Sequence, residues 1–356
     1  MSALKIGLIG LGEVAQLMHL PLLADDARYE IAAVTDVSRS LTDYVAKRYS
    51  VPKTPGSAAE LIADPDLDAV MILTPDFLHA PLLEAAIRAG KHVFIEKPAA
   101  LTAAELEPII ALNKSNPKVV FVGYMRRFAP AFTALKARLP ERGEIRHVRI
   151  RDLIRESQFF VEQTRHLFLP KDVPEAAISE GRSQTQSLLR SVMGETATPD
   201  QIRAYQVLTG LSSHSFSAMC ELFGPPLKVA AARQHRGENV LVLFDYGHFT
   251  ALYEAVIHDV ARFDAGIEVL TMNQHFKINY DTPYIRNLPT RLEITTSNAH
   301  STGTEVIGPF YEDAFRVELD AFHRAITTGE KPKTTLEDSL RDLRLFAEVG
   351  RHFLRQ

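Results

Sequence analysis

The chain has little of what marks secreted, membrane-bound or nucleic-acid-binding proteins. Its 356 residues include a single cysteine, Cys220, which excludes an intramolecular disulfide and favours a reducing cytoplasm. The formal net charge of -4 is too small to favour nucleic acid or an anionic membrane as a partner. No apolar run approaches the ~20 residues of a membrane span, and the first expected strand begins at Lys5, which leaves no room for a signal peptide. We therefore expect a cytoplasmic protein.

Hydrophobic residues make up 46% of the chain and follow two different patterns, which indicates two domains. Over residues 1–123 short apolar strands alternate with helical stretches, one of them over residues 13–23, and this alternation is typical of a doubly wound parallel sheet. Over residues 124–356 strand patterns follow one another directly, which favours an α+β domain with a large, mainly antiparallel open sheet. Helical patterns return at residues 208–223 and at the end of the chain, where the last helix could pack back on the first domain.

A glycine-rich turn follows the first strand. Gly10, Gly12 and Ala15 match the pattern G-x-G-x-x-G/A. In this pattern the first glycine allows a tight turn, the second lets the backbone approach a pyrophosphate, and the small third residue lets helix and strand pack closely. A helix that begins at Glu13 and Val14 would offer free N–H groups and its positive dipole end to the phosphates. The first domain is thus expected to be a Rossmann domain that binds a dinucleotide.

An acidic residue, Asp36, ends the second predicted strand. A carboxylate at this position accepts hydrogen bonds from the hydroxyls of the adenosine ribose and repels a 2′-phosphate. Arg39 lies close enough in sequence to offset part of that repulsion, and Asp36 could instead cap the turn before Ser38. We expect NAD as the cofactor in preference to NADP.

Lys97 lies where a short apolar strand stops on Glu96-Lys97-Pro98. The strand delivers the lysine to the carboxyl edge of the sheet, where open α/β folds bind their ligands, and Pro98 restricts the backbone after it. An alcohol that loses a hydride must also lose a proton, and an ammonium can polarise its oxygen as the charge changes. Lys97 is therefore a candidate catalytic residue, with a surface ion pair to Glu96 as the alternative.

These motifs resemble the Gfo/Idh/MocA family, which includes glucose–fructose oxidoreductase and inositol dehydrogenase. The resemblance depends on four stretches in order: the glycine-rich turn, Thr-Pro-Asp-Phe-Leu-His at 74–79, Ala-Gly-Lys-His-Val-Phe-Ile-Glu-Lys-Pro at 89–98, and Gly-Tyr-Met-Arg-Arg-Phe-x-Pro at 123–130. It implies a Rossmann domain and a second domain whose open sheet carries the substrate pocket and the subunit contact of a homodimer or homotetramer.

The resemblance also implies roles for residues around the cofactor. Lys97 would lie beside the nicotinamide and the substrate hydroxyl, before a cis proline, and His79 would cap or orient the loop at 74–79 or serve a plain structural purpose. The expected cofactor-binding residues are Gly10, Gly12, Glu13, Val14, Ala15, Asp36, Thr74, Pro75, His79, Glu96, Lys97 and Pro98.

His214 aligns with the histidine of the family pattern D-x-x-x-H-x-x-D, and Gly224 falls at the glycine that ends the family's helix. The ordinary pKa of an imidazole, about 6.5, suits a general base that takes the proton of the alcohol; a histidine packed in a polar pocket is the alternative. Gly210 and Ser217 stand where the family has acids. This departure puts the substrate class in doubt more than the reaction type.

Other polar side chains come from loops that we expect to reach the cleft, although each could instead serve packing or lie on the surface. The candidates for substrate binding are Arg126, Arg127, His166, Tyr280, Tyr284 and Arg286. The histidines lack the spacing of metal ligands, so we expect no metal site.

The leading hypothesis is an NAD(P)-dependent oxidoreductase that moves a hydride between the nicotinamide and a secondary alcohol of a sugar, cyclitol or glycoside. A second hypothesis keeps the NAD bound and uses it transiently for elimination or glycosidic cleavage. A third is a non-catalytic protein that senses a dinucleotide, which the replacements at Gly210 and Ser217 keep open.

Overall fold

The computed structural model describes residues 3–164 and 167–355. Contacts between Cα atoms divide the chain into two compact units. The first unit comprises Met1–Tyr124, Arg165–Leu189 and Glu318–Leu343, and the second comprises Met125–Thr164, Arg190–Val317 and Arg344–Gln356. The chain thus leaves the first unit after Tyr124 and returns to it twice, in the segments Arg165–Leu189 and Glu318–Leu343.

The first unit is built on a parallel sheet. Its strands are β1 (Leu4–Ile9), β2 (Tyr29–Thr35), β3 (Ala69–Ile72), β4 (His92–Glu96) and β5 (Val120–Gly123), and the helices along this stretch are α1 (Leu20–Ala24), α2 (Arg39–Tyr49), α3 (Ala58–Ala63), α4 (His79–Arg88) and α5 (Ala103–Asn113). The strand order is β2-β1-β3-β4-β5, with every neighbouring pair parallel. The direction of winding reverses between β1 and β3, and ligands of such sheets bind at that reversal. The predicted doubly wound parallel sheet is confirmed.

Local sequence explains the start of one helix of this unit and an irregularity in another. The side chains of Thr102 and Glu105 form a capping box at the start of α5, as their spacing predicts. The helix predicted over residues 13–23 is present, but its residues Ala15–His19 form a π-helical turn before α1. Pro21 has no N–H to donate to the carbonyl of Leu17, so the regular α-helical hydrogen bonds are interrupted here.

The second unit is built on an eight-stranded mixed sheet. Its strands are β6 (His147–Ile154), β7 (Lys228–His235), β8 (Asn239–Asp245), β9 (Thr250–Ile257), β10 (Phe263–Leu270), β11 (Gln274–Tyr280), β12 (Thr290–Ser297) and β13 (Thr302–Phe310). Their order is β13-β12-β11-β10-β6-β9-β8-β7. The β6–β9 pair is parallel and the other pairs are antiparallel. The predicted large, mainly antiparallel sheet is confirmed; β11 and β13 were not predicted.

The remaining helices are α6 (Pro130–Arg138), α7 (Gln158–Thr164), α8 (Glu175–Met193), α9 (Pro199–Val207), α10 (Ser213–Phe223), α11 (Ala314–Thr328) and α12 (Leu336–Phe353). The helix predicted over residues 208–223 is divided in the structure, because a π-helical turn at Leu208–Ser212 precedes α10. None of the helices in the described part of the chain combines the length and apolar character that a bilayer crossing requires.

The core of the second unit lies between one face of the sheet and its helices. Alternate residues of β8 point inward, and Phe216 of α10 packs edge-on against Phe244 and Tyr253, with ring centroids 5.2 and 5.0 Å apart. Burial of each such side chain contributes roughly 1.5–3 kcal/mol. On the other face of β8, Leu241 and Leu243 keep more than a third of their surface exposed.

Candidate active site

The glycine-rich turn leaves β1 at the reversal of the sheet. Gly10 has φ +87°, and a Cβ on it would lie 2.8 Å from backbone atoms of Leu73 and Thr74. A Cβ on Gly12 would have no other described atom within 4 Å, and Ala15 is completely buried. The first glycine is thus required by the fold, whereas the second leaves open space in front of the backbone, as a bound pyrophosphate needs.

Substitution of the two glycines is therefore expected to impair different properties: stability at Gly10 and dinucleotide binding at Gly12. Gly10→Ala should lower the free energy of unfolding by about 1–3 kcal/mol, because alanine is strained at positive φ and the facing backbone atoms cannot move aside. Gly12→Ala should leave that free energy unchanged and weaken dinucleotide binding, because its methyl group enters the open space. Urea unfolding and calorimetric titration with NAD measure both quantities. Equal stability losses in the two variants would show that the two glycines do not have these different roles.

The carboxylate of Asp36 faces the glycine-rich turn. One oxygen, Oδ2, accepts the backbone N–H of Leu11 at 2.8 Å, and Oδ1 accepts the backbone N–H of Ser38 at 2.9 Å. An ionised carboxylate can accept about four hydrogen bonds. Asp36 is therefore oriented by the backbone and retains capacity for the hydroxyls of a ribose.

A cavity of about 270 Å³ lies beside this carboxylate. Its walls combine apolar and polar side chains with glycine: Ile9, Gly10, Thr35, Asp36, Val37, Gly56, Ser57, Ala58, Thr74, Pro75, Leu78 and Leu82. Apolar walls with a few convergent polar groups are typical of small-molecule sites. The cavity suits a nucleoside, because a base is flat and largely apolar while its ribose donates hydrogen bonds.

His79 connects the ends of two neighbouring strands. Its side chain is buried, with Nδ1 2.7 Å from the carbonyl oxygen of Pro98 and Nε2 2.8 Å from that of Thr74. Both partners are carbonyl acceptors, so a ring nitrogen of His79 that carries a proton donates to the carbonyl it faces. His79 thus joins the turn after β3 to the turn that carries Lys97.

Glu96 and Lys97 end β4. Glu96 is buried; its Oε1 lies 2.9 Å from Nε2 of the fully buried His19, and its Oε2 accepts the backbone N–H of Lys97 at 3.2 Å. Burial by itself raises the pKa of Glu96, but the hydrogen bond from His19 and the nearby charge of Lys97 outweigh it, so the pKa lies below its ordinary value. Lys97 is partly exposed, and the Lys97–Pro98 peptide is cis, as the resemblance implies.

In the second unit, His214 lies in the first turn of α10 and is partly exposed. Gly224 ends this helix with φ +73°, as predicted. A Cβ on Gly210 would meet no other described atom within 4 Å, so the fold leaves room for a side chain there. Ser217 is completely buried and accepts a hydrogen bond from Arg127 at 3.1 Å.

Arg126 is held inside the second unit by the fully buried Asp152. Its guanidinium contacts Oδ1 of Asp152 at 2.5 Å and the hydroxyl of Ser215 at 3.0 Å. Ser215 and Tyr253 donate to the other oxygen of Asp152 at 2.6 and 2.9 Å. Burial lowers the pKa of Arg126, but the charge of Asp152 raises it by more, so the guanidinium stays charged.

Arg127 makes a comparable pair. Its Nε donates to Glu221 at 2.5 Å, and Lys136 contacts the other carboxylate oxygen of Glu221 at 2.9 Å. Glu221 lies one helical turn after Ser217 on α10. The family pattern has an acid at the position of Ser217. In this chain the carboxylate that pairs with Arg127 comes instead from Glu221.

The other substrate candidates lie in different surroundings. Tyr280 is buried, its ring lies 5.2 Å from the guanidinium of Arg126, and burial raises its pKa. Among the described residues its hydroxyl has no hydrogen-bond partner, and it borders a cavity of about 60 Å³ that Arg126 also lines. Tyr284 and Arg286 are partly exposed. His166 lies outside the described residues.

Several functional contacts were not foreseen from the sequence. Asp152 shares the inward face of β6 with Val148 and Ile150, so the alternation of the strand could have revealed a buried acid. The contact of His19 with Glu96 spans 77 positions in the sequence and had no local signal. The described residues contain no cluster of three or more side chains that could hold a metal ion.

The turn, the oriented carboxylate and the nucleoside-sized cavity define the first unit as a Rossmann-fold, dinucleotide-binding module. Residues 4–124 match the family model described as an oxidoreductase family with an NAD-binding Rossmann fold, GFO_IDH_MocA. A myo-inositol 2-dehydrogenase of Thermotoga maritima is 33% identical over 354 residues, which cover 94% of this chain and 92% of the relative. The chain belongs to the Gfo/Idh/MocA family of oxidoreductases, and the resemblance drawn from its motifs is confirmed.

Other similarities are shorter or structural. An oxidoreductase of Escherichia coli, YdgJ, is 35% identical over 141 residues, and this match covers 39% of either chain. The structure of KijD10, a 3-ketoreductase from Actinomadura kijaniata in complex with NADP and TDP-benzene, superposes with a TM-score of 0.71. The superposition covers 99% of this chain and 97% of KijD10. At 19% sequence identity it supports the fold alone.

Proposed function

We propose that this protein is an NAD-dependent oxidoreductase that transfers a hydride between the cofactor and a secondary alcohol of a sugar, cyclitol or glycoside. The observation that carries the proposal is the common location of Gly10, Asp36 and Lys97 at the carboxyl ends of β1, β2 and β4, three strands of one parallel sheet. The relative named myo-inositol 2-dehydrogenase and the structural neighbour named as a 3-ketoreductase support the substrate class.

We assign cofactor binding to the first unit, with residues 1–123 as the dinucleotide domain. NAD supplies, when bound, a nicotinamide ring that accepts or returns a hydride. The residues that would hold it are Gly10, Gly12, Glu13, Val14, Ala15, Asp36, Thr74, Pro75, His79, Glu96, Lys97 and Pro98. The orientation of Asp36 toward the glycine-rich turn favours NAD over NADP, because a carboxylate accepts from a ribose hydroxyl and repels a phosphate.

Lys97 is assigned to the oxygen of the reacting alcohol. Its ammonium hydrogen-bonds to that oxygen and stabilises the negative charge that develops as the proton leaves. The backbone at Lys97 is held on one side by Glu96, and His79 contacts the carbonyl of Pro98 on the other. These two contacts hold the backbone on either side of the lysine.

We assign proton transfer to His214 and the substrate and subunit contacts to residues 124–356. His214 takes the alcohol proton in oxidation and returns it in reduction. The candidates for substrate binding within the described part of the chain are Arg126, Arg127, Tyr280 and Tyr284. His166 remains a prediction. The exposed leucines of β8 support a homodimer or homotetramer formed through the sheet, and the single cysteine supports a cytoplasmic location.

The proposal is tested by incubating the purified protein with NAD and a panel of cyclitols, sugars and glycosides. The near-ultraviolet absorbance of NADH and the products are followed together. Sustained NADH formation with ketone product is the expected result. Product without NADH would indicate transient use of bound NAD, and NAD binding without turnover across the panel would indicate a dinucleotide sensor.

Replacing His214 tests the second half of the proton path. His214→Gln should lower kcat by about 10²–10⁴-fold and remove the pH dependence that an imidazole base gives, because glutamine cannot accept the proton. His235→Gln is the matched control, since His235 is an exposed histidine of β7 in the same unit. A pH profile that is unchanged in His214→Gln would contradict the assignment.

A further inference from the structure

A segment from the middle of the chain is attached to the dinucleotide-binding unit. We name residues 167–172 the strap. The side-chain amide of Gln16 both donates to the carbonyl of Phe168 at 3.1 Å and accepts its N–H at 3.0 Å. The ring of Phe168 stacks on Tyr44 of α2, with centroids 4.6 Å apart and planes at 18°. The strap is thus held against α2 and the π-helical turn at Ala15–His19, within the first unit.

The strap ends in Asp172, whose carboxylate lies at the first turn of α2. Oδ1 accepts from the hydroxyls of Ser38 at 2.5 Å and Ser40 at 2.7 Å, and Oδ2 accepts the backbone N–H of Ser40 at 2.8 Å. We name these three donors the serine cradle. Hydrogen bonds from Ser38 and Ser40 hold the pKa of Asp172 well below its ordinary range, so the carboxylate is ionised at neutral pH.

The serine cradle begins two residues after Asp36, which is assigned to the adenosine ribose. In doubly wound sheets the acidic residue at the end of the second strand meets the 2′ position, and a nearby arginine accommodates a 2′-phosphate where one is bound. Ser38 follows Asp36 by two residues and donates its backbone N–H to it. Hydroxyls, a helix N-terminal N–H and an adjacent Arg39 are the groups that bind phosphate in proteins.

The structure assigns a specificity role to Asp172: its carboxylate fills the serine cradle and excludes dinucleotides that carry a 2′-phosphate, while those with a free 2′-hydroxyl are accepted. This inference rests on the proposed function, because it concerns the same cofactor site. Asp36 and Asp172 act differently. The first accepts from the ribose hydroxyl, and the second occupies the donors that a phosphate needs and repels its charge.

The surroundings show that the cradle could serve a phosphate once Asp172 is removed. Arg39 is largely exposed at the start of α2, where it pairs with Asp43 at 2.9 Å and contacts Thr54 at 3.4 Å. Such an exposed pair is worth little and can exchange partners. Asp172 is itself exposed at the level of the whole residue, so truncation of its side chain leaves no cavity in the core.

The test is a calorimetric titration of the full chain with NAD and NADP, which suits a protein without tryptophan. Asp172→Ala should tighten NADP binding by about tenfold or more, because three donors and a positive dipole end become available. NAD binding should change by less than about threefold, since Asp36 is untouched. Glu175→Ala is the matched control, because Glu175 lies three residues on and the substitution removes the same charge.

Two further measurements separate specificity from a loss of structure. Asp172→Asn keeps the shape of the side chain and removes its charge, so it should give a smaller gain for NADP than Asp172→Ala. The 2′,5′-bisphosphate of adenosine should gain affinity in parallel with NADP, whereas adenosine 5′-phosphate should not. Thermal unfolding confirms that each variant is folded.

Equal changes of NAD and NADP affinity in Asp172→Ala, or no change in either, would overturn the inference and leave the proposed function intact. A wild-type chain that binds NADP more tightly than NAD would also overturn it. A wild-type chain that binds neither dinucleotide would contradict the proposed function itself, and the specificity role would fall with it.

Discussion

Lys97→Ala should lower kcat by about 10³-fold or more and leave the Kd of NAD within about threefold of the wild-type value. The ammonium is assigned to the oxygen that changes charge in the reaction, and methyl cannot stabilise that charge. The glycine-rich turn and Asp36, which are assigned to the dinucleotide, remain in place. Steady-state kinetics and calorimetric titration with NAD measure the two quantities separately.

Lys114→Ala is the matched control for this experiment. Lys114 follows α5 in the same unit and is exposed, so its loss should change neither quantity. Full activity in Lys97→Ala would contradict the assigned role. A variant that loses NAD binding together with activity would instead indicate that Lys97 acts mainly on the dinucleotide and not on the substrate oxygen.

Asp152→Ala should lower the free energy of unfolding by about 3–5 kcal/mol, because it leaves the guanidinium of Arg126 buried without its carboxylate. The cost should be visible as a lower urea midpoint for the transition that reports on the second unit. A signal from that unit is required, since two compact units need not unfold in one step.

The double variant Arg126→Met/Asp152→Leu distinguishes charge from packing. Because both charges are removed together, it should cost less than Asp152→Ala alone. A free energy of unfolding for Asp152→Ala within about 1 kcal/mol of the wild-type value would show that the contact contributes no more than an exposed ion pair. A double variant that is less stable than Asp152→Ala would show that packing contributes more than charge at this site.

The sequence was sufficient for the fold class and for the local parts of the site. Alternating apolar strands and helices predicted the parallel sheet, and the glycine pattern predicted a tight turn. In the structure Gly10 has positive φ in this turn. These features depend on neighbours within about ten positions, which is the range that periodicity and turn chemistry report. The capping box at Thr102 belongs to the same group.

Other contacts of the candidate site join residues that are far more than ten positions apart in the sequence. Asp172 reaches Ser40 across 132 positions, and Phe168 reaches Gln16 across 152. A serine two residues after Asp36 reads locally as a helix cap, which it also is, since its hydroxyl accepts the N–H of Leu41. Only the fold shows that the same hydroxyl donates to a distant carboxylate.

The burial of Arg126 and Arg127 also depends on tertiary structure. Two adjacent arginines after a strand look like surface residues that could reach a ligand. In the structure both side chains are about 95% buried and each faces a carboxylate from another element, Asp152 or Glu221. No short pattern in the sequence links these partners, so the arginines could be identified as candidates but their contacts could not be predicted.

The central claim is that Lys97 and His214 act on one alcohol next to the nicotinamide. The most direct test is a crystal structure of the protein with NAD and a polyol on which it turns over. In that structure Nζ of Lys97 and a ring nitrogen of His214 should both lie within hydrogen-bond reach of the same alcohol oxygen, about 3 Å. A bound nicotinamide with either side chain directed into solvent, or separated from that oxygen by packed residues, would contradict this claim.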